Sequence, residues 1–233
     1  FHTASNWVPV GVPGVASYVI VDDPTTLTVD APAMVKYAMI GGANTTFMEI
    51  NSALTSVDYV HVIANGTLEV NNHPGMTVGN DMFVGDGGIL THEDNNATEA
   101  DKMMISVEGD LVLALGGSID VQGRGYESSQ GPGEPVSGGY VGGSHGGYGG
   151  LYQGGSEQAG EPYGSVLAPT NLGSGGGGHD GASQGGRAVR PAVGGACTLN
   201  VTIDADGTGG SVLRRAGRSV SLPAPSPRCP GSA

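Results

Sequence analysis

Basic residues are scarce in this chain, and their scarcity limits its partners. Nine Lys and Arg stand against 22 Asp and Glu, so the formal net charge is −13 at pH 7 over 233 residues. A chain this acidic has little attraction for a phosphate backbone, which argues against nucleic acid as a partner. Charged residues make up only 13% of the chain, about half of the usual share. We therefore expect hydroxyls, amides or attached sugar to keep the surface hydrated.

Long apolar runs and cysteines are also rare. No stretch of 18 consecutive apolar residues occurs, so the sequence predicts no membrane span. The two cysteines, Cys197 and Cys229, are compatible with one disulfide in an oxidising compartment or with two unpaired thiols.

N-glycosylation sequons, by contrast, are frequent. Four N-x-Thr sequences without an intervening Pro begin at Asn44, Asn65, Asn96 and Asn200. One or two would be expected by chance in a chain rich in Thr and Asn. Four favour an extracellular or cell-surface protein that carries covalent N-linked glycans.

Short β-branched and aliphatic segments, separated by Gly, Asn and Asp, fill residues 27–122. No twelve-residue segment has an apolar stripe at helical spacing, so the pattern predicts an all-β fold. The segment 31–40 contains Pro32 and ends in two glycines, and we predict strand or loop there. Strands are predicted over 27–30, 57–64, 67–71, 88–91, 103–108, 110–115 and 118–122, and strand character returns over 187–213.

Apolar residues recur at intervals of about 21 to 22 along the chain, at Leu68, Ile89 and Leu111, and again at Leu167 and Val189. A recurrence in this range is typical of a solenoid. It favours a right-handed parallel β-helix with a long glycine-rich ordered loop and an extended N-terminal arm. An antiparallel sandwich, which also has strands every 8–12 residues, is the alternative.

Glycine is concentrated in residues 116–186, where tyrosines are interleaved with it. One interpretation is a flexible linker. The other is a compact loop in which backbone packs on backbone under Tyr rings, which a solvated linker does not need. We expect the compact loop.

The order of motifs in this block resembles the GGSHGGxGG…YGS…P…GSGGG signature of glycine-rich β-helical regions in large secreted and surface proteins of protists and bacteria. The flanking segments 117–126 and 199–207 resemble the strands that precede and follow the block in that family. The resemblance implies a structural module and no catalytic residue. The residues that carry it are Gly143, Ser144, His145, Gly146, Gly147, Tyr163, Gly164, Ser165, Gly173, Ser174 and Gly175.

Three regions follow from these patterns. Residues 1–26 are predicted to be an extended arm, residues 27–213 a β-helix domain with a glycine-rich insert at 123–186, and residues 214–233 an Arg/Pro-rich tail. An arm of this kind can fold back on its own chain or pair with a neighbouring molecule, and the sequence leaves both possibilities open. The assembly segment within the arm is Tyr18, Val19, Ile20 and Val21.

Catalytic and metal motifs are weak in this sequence. Carboxylates that could serve a polysaccharide hydrolase lie in turn-like sequence, where Asp is expected anyway. The segment 204–207 is half of a calcium-loop pattern without the later Glu, and a turn is the better interpretation. We therefore expect no enzyme, no metal and no cofactor. The candidate carboxylates are Asp81, Asp86, Glu93, Asp94 and Asp101.

The predicted function is that of a structural subunit of an extracellular glycosylated fibril or surface layer. It would assemble head-to-tail into a homo-oligomeric filament through the N-terminal arm and the open ends of the β-helix. The alternative is a carbohydrate-binding or adhesin module of a larger surface protein, in which Tyr126, Tyr148 or Tyr152 stacks on extracellular glycans. A polysaccharide lyase or hydrolase is the least favoured hypothesis.

Overall fold

The structure, a computed structural model, describes residues 1–71, 75–137, 139–151, 157–165, 170–178, 183–187, 189, 191–201 and 203–208. Within these residues the chain forms one short 3-10 helix, Ala4–Asn6, and fifteen strands. The strands are β1 Tyr18–Val21, β2 Thr26–Val29, β3 Ala33–Ile40, β4 Thr46–Ile50, β5 Leu54–Val62, β6 Gly66–Val70, β7 Met76–Val78, β8 Met82–Val84, β9 Ile89–Thr91, β10 Ile105–Val107, β11 Leu111–Leu113, β12 Ser118–Asp120, β13 Ala192–Val193, β14 Cys197–Leu199 and β15 Ile203–Asp204.

These strands form two stacked sheets, and within each sheet all paired strands run parallel. Sheet A has nine strands. Seven of them follow the order β13-β10-β7-β5-β8-β11-β14, and β3 and β1 continue from β5. Sheet B has six strands in the order β15-β12-β9-β6-β4-β2. The antiparallel sandwich is therefore not the fold of the strands that the structure describes.

The core lies between the two sheets because apolar residues alternate with polar ones along each strand. In sheet A, Val60, Met82 and Leu111 are adjacent in register. In sheet B, Leu68 and Leu90 are adjacent. All of these side chains are buried in a single apolar cluster. Burying each one contributes about 1.5–3 kcal/mol, and this burial holds strands of only three residues in place.

The prediction of a right-handed parallel β-helix is wrong. A solenoid requires one strand per coil in each wall, whereas sheet A branches at the nine-residue strand β5. The first half of β5 pairs with β7 and the second half with β8, while β3 covers its other edge. The result is a nearly closed, barrel-like path of seven parallel strands stacked against sheet B.

The residue interval that suggested the solenoid does not describe one ladder. Leu68 is level with Leu90 rather than with Ile89, and both lie in sheet B. Leu111 lies in sheet A, level with Met82. Leu167 is outside the described residues. Equal spacing along the chain therefore joined residues from two different sheets.

The described part of the glycine-rich block is packed rather than extended as a linker. Its backbone groups bond to one another, as where Tyr126 N–H donates to Gly173 O and Gly185 N–H donates to Tyr126 O. A Cβ added at Gly149 would collide with the carbonyl oxygen of Gly142, and one at Gly175 with that of Glu127. Glycine is required at these positions because backbone lies directly against backbone.

Candidate functional site

The first seven residues of the chain cover the outer edge of sheet B. The backbone nitrogen of Phe1 donates to Thr28 O of β2 at 2.7 Å, and Trp7 Nε1 donates to Phe1 O at 2.9 Å. The Phe1 and Trp7 rings contact each other edge to face at 5.2 Å, and Phe1 is buried in the apolar cluster. This segment therefore docks on its own chain.

Residues 8–15, in contrast, present apolar side chains to solvent. Val8 is 100% exposed and Val10 is 77% exposed, and Val12 and Val15 are also exposed. No charged residue occurs between Trp7 and Tyr18. An uncharged, valine-rich segment on the surface of a strongly acidic chain is an unfavourable arrangement for an isolated molecule in water. We call residues 8–15 the valine segment.

Strand β1 follows the valine segment and forms an open edge of sheet A. Among the described residues, β1 pairs with β3 and with no other strand. Ser17 O accepts from Lys36 N–H and Val21 O accepts from Gly41 N–H, so these carbonyls point towards β3. Because backbone groups alternate in direction along a strand, those of Tyr18 and Ile20 point to the open side. The predicted assembly residues thus lie in β1, with Val19 and Val21 buried and Tyr18 and Ile20 exposed.

Aromatic rings extend from this edge across the outer face of sheet A. The Tyr18 ring centroid lies 6.0 Å from that of Tyr37, and the Tyr37 ring lies 5.2 Å from His61. Tyr37 Oη and His61 Nδ1 are 3.0 Å apart, within hydrogen-bond distance. Burial raises the pKa of Tyr37 and lowers that of His61. The Tyr37 and His61 rings meet edge to face at 81°, and the Tyr18 and Tyr37 rings are tilted by 45°, so the rings do not form a flat platform.

Three carboxylates form a second cluster, on the outer face of sheet B. Oxygen atoms of Glu49, Glu69 and Glu93 all lie within 4.8 Å of one another. Glu49 and Glu69 are directly level on β4 and β6. Burial is the largest influence on Glu69 and raises its pKa, while a hydrogen bond from Asn71 and the nearby Arg124 oppose that rise.

Positive and neutral groups border this acidic cluster. Arg124 Nη1 lies 3.7 Å from Glu69 Oε2 and also donates to His92 O. His92 is fully buried, and burial followed by the neighbouring Arg187 charge lowers its pKa to about 3. Burial lowers the pKa of Arg187 to about 8, and its Nη2 donates to Glu93 O. The carboxylate oxygens have the chemistry to hold a divalent cation or to transfer a proton. Among the described residues, no further feature of the cluster is directed at a ligand.

One of the carboxylates predicted from the sequence belongs to this cluster, and two others act on the arginines beside it. Glu93 belongs to it, and Asp94 Oδ1 lies 3.8 Å from Arg124 Nε. Asp81 Oδ1 instead accepts from Asp110 N–H, which is an ordinary turn bond, and Asp86 lies in the turn between β8 and β9. Asp101 is not one of the three clustered carboxylates, but its charge acts on Arg187 beside them. Glu49 and Glu69 were missed, although each stands between two apolar residues and the two are 20 positions apart.

The four sequon asparagines are all exposed. Asn44, Asn65 and Asn200 lie in the connections β3–β4, β5–β6 and β14–β15, which all run from sheet A to sheet B. Asn96 lies between β9 and β10, in a connection that runs the other way. Three of the candidate glycans would therefore project from one side of the molecule, while Thr202 of the Asn200 sequon is outside the described residues.

Part of the glycine-rich signature packs in the interior of the block. Ser144 is buried, and its Oγ donates to Gly160 O and accepts from Gly149 N–H. The His145 ring meets the Tyr163 ring at 5.0 Å and 89°. Burial raises the pKa of Tyr163 to about 12 and lowers that of His145.

The remaining signature residues differ in their surroundings. Ser174 Oγ accepts from Gly133 N–H at 2.8 Å, and Gly143 lies against the Ser174 carbonyl. Gly146 and Gly164 have φ values of 63° and 72°, which favour glycine. Gly173 and Gly175 lie against backbone. Gly147 has open space around it, and Ser165 lies beside Gly164 in the same loop.

The other described site residues predicted from the sequence take part in the disulfide, in turns or in packing, or lie on the surface. Cys197 is disulfide-bonded and packs in the core level with Leu111, and Cys229 lies outside the described residues. Asp204 Oδ1 accepts from Asp206 N–H, as expected for a turn. Tyr126 is buried, Tyr148 is exposed with its hydroxyl on Glu161, and Tyr152 lies outside the described residues.

Comparison of the chain with protein-family models, with curated proteins and with solved structures finds no match. In the part of the chain that the structure describes, no helix has the length and apolar character needed to cross a membrane.

Proposed function

We propose that this protein is a non-enzymatic structural subunit of an extracellular, glycosylated assembly, either a fibril or a surface layer. Copies associate through the N-terminal end of the molecule. One observation carries the proposal: an exposed, uncharged valine segment lies next in the chain to β1, whose outer edge pairs with no described strand. Exposed, unpaired edge strands of a sheet and exposed apolar segments bind further chains unless they are covered.

The charge and the sequons support the same proposal. The net charge of −13 opposes close contact between copies over most of their surface. The valine segment and β1 carry no charge, so contact at this end avoids that repulsion. Glycans on Asn44, Asn65 and Asn200 would cover the side of the molecule formed by the connections from sheet A to sheet B.

The proposal is tested by analytical ultracentrifugation of the secreted, glycosylated chain. Replacing the valines as Val8→Ser, Val10→Ser and Val12→Ser should abolish association, because each exposed valine that becomes buried contributes up to about 1.5–3 kcal/mol. The matched control is Met34→Ser with Val57→Ser, which removes exposed apolar side chains from strands β3 and β5. A native chain that sediments as a monomer at every concentration would refute the proposal.

A carbohydrate-binding or adhesin role is the second candidate. The exposed rings of Tyr18 and Tyr59 on sheet A favour it, because aromatic rings stack on sugars. The edge-to-face packing of the neighbouring rings weighs against it. Glycan-array binding that disappears in Tyr18→Ala with Tyr59→Ala, and persists in Tyr148→Ala, would favour this role over the structural one.

A further inference from the structure

The backbone directions at β1 and in the valine segment indicate how two copies meet, an inference that rests on the proposed function. We propose that residues 8–13 of one copy add as a parallel strand to the open edge of β1 in a second copy. The body of the molecule contains only parallel strand pairs among its described strands, so the added strand would continue its pattern.

The open edge of β1, which would accept the added strand, has outward-facing backbone N–H and C=O groups at two residues. The backbone groups of Ser17 and Val21 are directed to β3, so those of Tyr18 and Ile20 face away from the sheet. No described residue of the same chain bonds to this side of β1. The edge of sheet B, by contrast, is covered by Phe1. One of the two edges at this end is therefore closed by its own chain, and the other is left for a partner.

The valine segment has donors at alternate positions that suit this edge. Val8, Val10 and Val12 each carry an N–H, whereas Pro9 and Pro13 do not. Proline is tolerated in an edge strand only where its nitrogen faces away from the neighbouring strand. Gly11 N–H donates to Ala4 O of its own chain. This bond is consistent with the backbone groups of residues 9, 11 and 13 facing away from the neighbouring strand. The segment can thus bond through Val10 and Val12 without losing a donor to proline.

The parallel register also decides where the valine side chains go. In a parallel pair, a residue whose backbone groups bond to the neighbouring strand is level with a residue of that strand whose own backbone groups point the other way. With Gly11 level with Ile20, Val10 lies beside Val19 and Val12 beside Val21, on the inner face of sheet A. The exposed valines would then extend the buried row of β1. Each copy carries both a donor segment and an open edge at β1, so the contact can repeat from copy to copy in an open, head-to-tail chain.

Proline substitutions test this pairing because they remove one N–H each. Val10→Pro removes an N–H that bonds to no other described residue of the single chain, so we expect the fold to be retained. Ile20→Pro removes the outward N–H of β1 and leaves the β3 side intact. The controls Val10→Ala and Ile20→Ala retain the N–H. All are made in the full, secreted chain, and dissociation constants are measured by sedimentation equilibrium.

Each proline variant should weaken association at least about tenfold relative to its alanine control, as expected for one lost backbone hydrogen bond plus the misfit that it causes. Association that is equal in the proline and alanine variants would overturn the strand pairing and leave the proposed function standing. A native chain that never associates would overturn both. A fold check by circular dichroism accompanies Ile20→Pro, and Val10→Pro decides the question if that variant does not fold.

Discussion

Glu69 gives the most informative test of the electrostatics of sheet B. It is buried, with only 8% of its surface exposed, and oxygen atoms of Glu49 and Glu93 lie within 4.8 Å of its carboxylate. Replacing it as Glu69→Gln keeps the shape and the ability to accept from Asn71, and it removes one of three neighbouring negative charges. We therefore expect the variant to be more stable than the native chain near neutral pH.

The magnitude follows from Coulomb's law. At 4.8 Å, the upper limit of these separations, and an effective dielectric constant of about 20, each carboxylate pair repels by about 3.5 kcal/mol. Arg124, at 3.7 Å, offsets somewhat more than one of the two repulsions. The remainder leaves a stabilisation of about 2 kcal/mol for the variant. In a chain of this size that corresponds to a rise in Tm of roughly 4–8 °C.

The pH dependence follows from the sign of the pKa shift. The folded-state pKa of Glu69 is raised above its ordinary value of 4.5, so the native state takes up this proton more readily than the unfolded state. The resulting contribution to stability is fully present below pH 4.5 and is lost as the pH rises through the raised folded-state pKa. Glu69→Gln should therefore differ from the native chain at pH 7 and converge with it at acidic pH.

Thermal unfolding monitored by circular dichroism between pH 4 and pH 8 measures this effect. The exposed Glu108 supplies the control, and Glu108→Gln should change Tm little at any pH. A Glu69→Gln variant that is less stable than the native chain at pH 7 and converges with it at acidic pH would refute the reasoning. It would show that the Glu69 contact with Arg124 outweighs the repulsion within the cluster.

Three further predictions concern the packing and the surface. Gly149→Ala should destabilise the fold by about 1–3 kcal/mol in urea unfolding, because its Cβ would collide with the Gly142 carbonyl. The control Gly150→Ala, whose added Cβ has no atom within 4 Å, should leave the stability unchanged. Equal losses of stability in the two variants would contradict the packing. Leu90→Ala should cost about 2–5 kcal/mol because Leu90 lies level with Leu68 and Ile119 inside sheet B; a loss below about 1 kcal/mol would argue against that core. Asn65→Gln should lower the mass of the secreted protein by one glycan, and an unchanged intact mass would show that this sequon is not used.

Strand positions were largely predictable from the sequence because they depend on local patterns. The predicted segment 67–71 corresponds to β6 and 118–122 to β12. The segment 31–40, predicted as strand or loop, forms β3. Strands β4, β7 and β8 were not predicted. The segments of β7 and β8 have three residues each and stand between polar and glycine residues, so their pairing with β5 rather than their own pattern makes them strands.

The arrangement of the sheets and the acidic cluster depend on register, which a single sequence does not encode locally. The interval between Ile89 and Leu111 is regular along the chain, yet the two residues lie in different sheets. Glu49 and Glu69 approach each other only because β4 and β6 pair level at these positions. The division of the N-terminal residues was equally hidden, since Phe1 docks on sheet B while Val8 and Val10 remain exposed.

Self-association through the N-terminal end is the claim on which the proposed function depends. Mass photometry of the secreted, glycosylated native chain over a range of concentrations measures it without any substitution. The account predicts particles of two or more chains whose share grows with concentration. A single species with the mass of one glycosylated chain at every concentration would contradict it.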